Sequence, residues 1–218
     1  MERFHFENDR HRYLITRALV RTVLSRYAPI APKDWIFENT PYGRPQIANR
    51  HPLAKRLGFN VSHSKGLVVL MVGLDRAVGI DTESIARNAP LDVAERFFSP
   101  HEVASLQRLP RDAQAFRFWE LWTFKESYIK ARGMGLSLPL EQFSIELAVE
   151  STVAIAFDGI ADTPGAWQLW QYRPDPHHLV AVCHERTGRD PVQFSFWNIN
   201  PLDFAVPLEM AMTRCSAV

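Results

Sequence analysis

Between Asp9 and Tyr27 the apolar residues Tyr13, Leu14, Ala18, Leu19, Val23 and Leu24 recur at helical intervals. This predicts an amphipathic helix with Asp9 as its N-cap and Pro29 closing the run. Trp35 to Glu38 reads as a short strand, and Pro41-Tyr42-Gly43-Arg44-Pro45 as a rigid bend in which Gly43 takes a positive φ. Phe59-Asn60-Val61 begins a strand that ends in the turn-forming Ser62-His63-Ser64. Leu67 to Leu74 is an apolar strand, and Asp75-Arg76 is predicted to fold it back on Ala77 to Glu83 as a β-hairpin. Ser99-Pro100-His101-Glu102 has the form of a capping box, with Pro at the first helical position. Ala113 to Arg132 is the longest helical run, ended by Gly133 and Gly135. From Leu138 the period changes to two, in Phe143 to Leu147, Val153 to Phe157, Trp167 to Tyr172 and Leu179 to Cys183, which predicts antiparallel strands. Each long helix precedes a run of strands, an order compatible with a duplicated α/β unit.

Composition narrows the class. The chain has 218 residues and 46% hydrophobic content, which fits one large domain or two small ones with a sizeable core. With 25 basic and 24 acidic residues the formal charge is +1, which argues against a nucleic-acid or membrane binder and makes any anion site local. Neither Cys183 nor Cys215 has a Cys or His partner at zinc-finger spacing, and Cys183, in an apolar run, is predicted to be buried. Arg3, Glu7, Asp9, Arg10, Arg12 and Arg17 interrupt the start of the chain, so a secretory signal is not expected there. The expectation is a soluble cytoplasmic protein.

The chemistry gathers in two stretches. In Trp119 to Gly135, WELWTFKESYIKARGMG, the residues Trp122, Glu126 and Lys130 recur every fourth position and share one helix face. Alone, Glu126 and Lys130 read as an ordinary helix-stabilising pair worth a few tenths of a kcal/mol. Asp81 and Glu83 change that, because residues two apart on a strand face the same side and two close carboxylates need a shared cation or proton. With Glu126 they make three oxygen donors suited to Mg²⁺, and Lys130 would reach phosphates bound to that ion. Arg12, in a basic helix face, and the Ser62-His63-Ser64 turn add anion-binding groups. A Ser62/His63/Asp81 triad is rejected, since adjacent strand residues point to opposite faces and no G-x-S-x-G elbow is present.

The motifs GRP (43–45), FNVSHS (59–64), VGIDTE (78–83), FFSPHE (97–102) and WTFKESYIKARGMGLSLPL (122–140) resemble the 4′-phosphopantetheinyl transferases of the Sfp type. The resemblance runs in order from about Arg3 to about Cys183. It implies a pseudo-twofold pair of α/β subdomains, each a small mostly antiparallel sheet with a long helix, here residues 1–76 and 77–218. It further implies transfer of phosphopantetheine from coenzyme A to a serine of an apo acyl or peptidyl carrier protein, with Mg²⁺ or Mn²⁺, by a monomer that releases 3′,5′-ADP. By the same resemblance Asp81, Glu83 and Glu126 are metal ligands, and Lys125 and Lys130 lie at the pyrophosphate. Arg44 and His63 contact the 3′-phosphate, with Arg12 a weaker match, Ser62 lies beside the phosphates, and Glu102 is the general base. Relatives usually carry a first strand ahead of the position of Arg3, so the N-terminal subdomain is expected to lack it. Two rival readings are a Mg²⁺-dependent nucleotide hydrolase and a non-catalytic coenzyme A binding or carrier-docking module. The carrier's pathway, whether fatty-acid, polyketide, nonribosomal-peptide or siderophore synthesis, stays open.

Overall fold

Antiparallel pairing and one long helix set the arrangement. The computed structural model describes residues 7–148, 151–188, 192–201 and 203–216; Arg3, where the family resemblance begins, lies outside them. In chain order the elements are α1 (Glu7–Leu24), β1 (Phe37–Asn39), β2 (Pro45–Ile47), α2 (Pro52–Arg56), β3 (Leu57–Ser64), β4 (Leu67–Leu74), β5 (Val78–Ser84), α3 (Ala94–Phe97), α4 (Pro100–Gln107), α5 (Arg111–Arg132), β6 (Phe143–Leu147), β7 (Val153–Phe157), β8 (Trp167–Asp175), β9 (His178–Glu185), β10 (Trp197–Ile199), β11 (Ala205–Pro207) and β12 (Ala211–Cys215). This is a mixed α/β fold of small antiparallel sheets and helices. Among the described residues, no helix is long and apolar enough to cross a membrane.

Period-two alternation decides how the layers stack. In the sheet ordered β12-β8-β9-β5, Leu179, Ala181 and Cys183 of β9 join the core beneath α5, while Val180 and Val182 turn to the opposite face with Ile80 and Tyr172. That second face is covered by Leu67, Val69 and Met71 of β4 and by Phe194 and Phe196 from the C-terminal segment. The intervening β4 residues Leu70 and Val72 face Val20, Leu24, Trp35 and Phe59 instead, so β4 is packed on both sides. From α5, Phe118, Leu121, Phe124 and Ile129 are each nearly or fully buried, and side chains of this size contribute roughly 1.5–3 kcal/mol apiece. Cys183 is fully buried, which pushes its thiol well up.

Several boundaries differ from the expectations. The first helix is already helical at Glu7, so Asp9 lies inside it and accepts from Arg12 Nη2 at 2.6 Å rather than capping. The first strand starts at Phe37 because Trp35 turns its ring into the core and donates to Ser25 Oγ at 2.9 Å. Ser62, His63 and Ser64 stay in β3, and the turn is made by Lys65 and Gly66. The capping box forms as read, with Ser99 and Glu102 exchanging bonds at the start of α4.

The expected hairpin between Leu67–Leu74 and Ala77–Glu83 does not form. Instead β4 pairs along its length with β3, and β5 pairs with β9. Asp75 adopts φ 53° and is gripped by the Arg56 guanidinium, which turns the chain out of the β4 plane. It then crosses beneath β3 and β4, where Gly58 and Gly73 leave no room for a Cβ. Side chains replace a backbone ladder between β3 and β5: Ile80 N donates to Asn60 Oδ1 at 2.8 Å and Thr82 N to Ser62 Oγ at 3.4 Å.

Beyond Cys183 no strand is predicted, yet β12 extends the sheet along β8, and Arg214 Nε reaches the buried Glu120 of α5 at 2.8 Å. The short β10 and β11 carry too few residues for a period to register.

Among the described glycines the tightest approach is at Gly79, where a Cβ would overlap the Ser127 carbonyl oxygen and the Ala131 nitrogen of α5. Gly79→Ala should therefore destabilise by about 3 kcal/mol or more, at the upper end of overpacking costs. The measurement is a denaturant midpoint at unchanged slope. A change within about 0.5 kcal/mol, the range of ordinary surface substitutions, would show that strand and helix are not in backbone contact.

Candidate active site

Four elements converge on one cavity of about 700 Å³. From α5 come Trp122, Glu126 and Lys130, the face set by fourfold spacing; from β5, Asp81 and Glu83; from β3, Ser62 and His63; from α1, Arg12. Tyr13 and Thr16 of α1 and Thr82 of β5 also line it and were not singled out from the sequence. Thr16 follows Arg12 by one helical turn, so the position of Arg12 on α1 was the available signal.

At the polar end, Lys130 Nζ donates to Asp81 Oδ1 at 2.5 Å and to Ser62 Oγ at 3.0 Å, and Ser62 Oγ donates to Asp81 Oδ1 at 2.8 Å. His63, next along β3, is exposed where Ser62 is buried and takes no part in the Ser62–Asp81 hydrogen bond. Asp81 Oδ2 is buried and has no hydrogen-bond partner among the described residues. Glu83 accepts from Arg87 at 2.5 Å. Burial first, and the Asp81 charge second, push the Glu83 and Glu126 carboxyls up from 4.5 to about 7. Among the described residues no group of three or more His, Cys, Asp or Glu is arranged to hold a metal ion. The three acidic residues share the cavity, but two of them are drawn toward Lys130 and Arg87.

Three predicted site residues sit elsewhere. Lys125 is fully buried, donating to Glu102 Oε2 at 2.6 Å and to Phe143 O at 2.7 Å, and does not line the cavity. Burial pushes its pKa down and the Glu102 charge opposes this. Glu102 is equally enclosed: Oε2 takes Ser99 N at 2.8 Å as well as Lys125, and Oε1 takes Ile145 N at 2.7 Å. The cap and Lys125 thus occupy the carboxylate that the family resemblance makes the general base. Glu102 lines a separate cavity of about 640 Å³ walled in part by β6 and β7. Arg44, expected at the 3′-phosphate, does not line the cavity: its guanidinium donates to the carbonyls of Lys130, Ala131, Phe59 and Val78.

A family model described as the 4′-phosphopantetheinyl transferase superfamily matches residues 77–183, and one described as 4′-phosphopantetheinyl transferase, N-terminal, matches residues 1–73. The 4′-phosphopantetheinyl transferase Sfp of Bacillus subtilis is 37% identical over 181 residues, 83% of this chain and 77% of that protein. The chain belongs to the 4′-phosphopantetheinyl transferase superfamily. HetI of Nostoc, also named a 4′-phosphopantetheinyl transferase, is 32% identical over 197 residues, covering 90% of this chain and 78% of its own. A phosphopantetheinyl transferase of Thraustochytrium is 33% identical over 204 residues, 87% of this chain and 69% of its own.

For this phosphopantetheinyl transferase the raised carboxyls fix the sign of a pH effect. A carboxyl that moves from 4.5 to about 7 binds its proton more tightly in the folded chain. Its stabilising contribution is then fully present below about pH 4.5 and is lost as pH rises through about 7. Metal-free protein should accordingly lose stability across that window relative to a Glu83→Gln/Glu126→Gln variant, as read from Tm at several pH values. Parallel Tm profiles for parent and variant would show that neither carboxyl carries the shift.

Proposed function

We propose that this transferase binds coenzyme A in the cavity between α1, β3, β5 and α5 and moves its 4′-phosphopantetheine to a serine of an acyl or peptidyl carrier protein. The observation that carries the reading is the cluster of Lys130, Ser62 and Asp81 at the polar end of that cavity. Phosphoryl transfer asks little covalent chemistry of a protein and much positioning and charge neutralisation. The serine oxygen forms a bond to the β-phosphorus of coenzyme A as the bond to the bridging pyrophosphate oxygen breaks. The products are the phosphopantetheinyl serine and 3′,5′-ADP.

The side chains divide the work. Lys130 offers its ammonium to the charge that develops on the departing 3′,5′-ADP, with Ser62 fixing its direction. Arg12 and His63, exposed at the rim, suit the 3′-phosphate. The serine proton passes to a group that faces the cavity; Glu102, in its ion pair with Lys125, does not line it.

The chemistry of the acidic set suits a divalent cation: Asp81 Oδ2 is buried without a partner among the described residues, and all three side chains offer hard oxygens. Asp81, Glu83 and Glu126 would hold Mg²⁺, or Mn²⁺ in its place. Such an ion supplies charge neutralisation at the phosphates. The carrier and a cytoplasmic, monomeric state belong to the same proposal.

Release of 3′,5′-ADP separates this reaction from hydrolysis. With coenzyme A and Mg²⁺, release is expected only when an apo carrier is present, and in an amount equal to the carrier. Continued release without a carrier would make the chain a coenzyme A hydrolase, and coenzyme A binding with no release in either case would make it a binding module.

A further inference from the structure

Arg44 sits in the bend between β1 and β2, where Gly43 takes φ 82° and Pro45 follows. Its own backbone is tied down: Thr40 N donates to Arg44 O at 2.8 Å, and Arg44 N donates to Thr40 Oγ1 at 3.1 Å. The root of the side chain is therefore fixed before the guanidinium reaches anything.

From that root, Nη1 donates to Lys130 O at 2.6 Å and Ala131 O at 3.0 Å, while Nη2 donates to Phe59 O at 3.1 Å and Val78 O at 2.9 Å. The four carbonyls belong to α5, β3 and β5, three of the elements that wall the cavity. Two lie in the last turn of α5, where Lys130 O takes in addition only the Gly133 amide at 3.2 Å and the helix dipole favours a cation. Gly133 closes that turn in the left-handed region at φ 69°, and a Cβ there would meet Arg44 Cδ at 3.2 Å and Nη1 at 3.3 Å. The glycine cap and the arginine thus occupy one fitted space.

We propose that Arg44 is a positioning residue that clamps α5, β3 and β5 together at the base of the cavity and so sets where the Lys130 ammonium meets Asp81 and Ser62. One clamped carbonyl is that of Lys130 itself. Val78 leads along β5 to Asp81, and Phe59 along β3 to Ser62. A shift of any of the three backbones therefore displaces one member of the cluster relative to the other two. Only a planar fork with two terminal nitrogens spans these four acceptors; a lysine, with a single nitrogen, keeps the charge and loses the span. A phosphate contact would behave differently, because lysine binds phosphate well as a point charge.

The kinetic arm of the test rests on the transferase reading, and the exchange arm does not. Arg44→Lys and Arg44→Ala, with Arg12→Ala beside them, are assayed for transfer to an apo carrier using coenzyme A and 3′-dephospho-coenzyme A. Amide hydrogen exchange is followed at Lys130 to Gly133. Both Arg44 variants should lower kcat roughly tenfold or more, as expected for misplaced catalytic groups. The factor should be the same for the two substrates, with KM within about threefold of the parent. Exchange in the last turn of α5 should quicken about tenfold or more in Arg44→Lys as the turn opens locally. Arg12→Ala, at the rim, should instead lose the preference for the 3′-phosphate. The proposal is overturned if Arg44→Lys keeps the parent kcat and exchange rates, or if its loss is confined to KM for coenzyme A bearing the 3′-phosphate. A parent that transfers nothing defeats the transferase reading, and the exchange rates of Arg44→Lys then decide the clamp alone.

Discussion

Backbone contact between β5 and α5 at Gly79 is the constraint on which the site depends. With no side chain between them, strand and helix approach until only a glycine hydrogen fits against Ser127 and Ala131. That separation lets a carboxylate on the strand and an ammonium on the helix meet at 2.5 Å. It also decides which faces do what. Asp81 and Glu83 follow Gly79 along the strand at alternate positions, while Glu126 and Lys130 flank the contact on the helix. A wider spacing would leave the same residues present and the cluster unmade.

The charges around that contact fall into two kinds. Lys125 and Glu102 form a buried pair whose further bonds run to Phe143 O, Ser99 N and Ile145 N, joining α4, α5 and β6. Such a pair gains little net stability, but breaking it leaves a buried charge, at a cost of about 3–5 kcal/mol. It therefore fixes the roll of α5. Lys130 and Asp81 are left incomplete instead: the carboxylate has an oxygen without a partner among the described residues, the ammonium is partly exposed, and burial pushes two neighbouring carboxyls up to about 7. One pair is structural because it is finished. The other can take up ligands because it is not.

Much of this was legible from local spacing. The fourfold repeat of Trp122, Glu126 and Lys130, the twofold step from Asp81 to Glu83 and the Ser99–Glu102 cap each depend on geometry within a few residues, and each appears in the structure. Family resemblance placed Lys125 at the pyrophosphate, yet Lys125 stands four positions from both Leu121 and Ile129, on the apolar face of α5. Helical periodicity would have sent it inward. The roles of Arg44 and β5 were not legible in this way. The acceptors of Arg44 are carbonyls brought together only by the tertiary fold, and the partner of β5 is β9, far along the chain. A nearby turn made the hairpin with β4 the shorter closure, but packing β5 against α5 and β9 buries more of its apolar face.

If the cluster assembled across the Gly79 contact carries out phosphopantetheine transfer, removing Asp81 abolishes it. Intact-mass analysis of an apo carrier protein incubated with coenzyme A, Mg²⁺ and either this chain or its Asp81→Ala variant tests it most directly. The account expects the carrier to gain one phosphopantetheine group with the parent and none with the variant over the same interval. No gain with the parent, or an equal gain with Asp81→Ala, would contradict it.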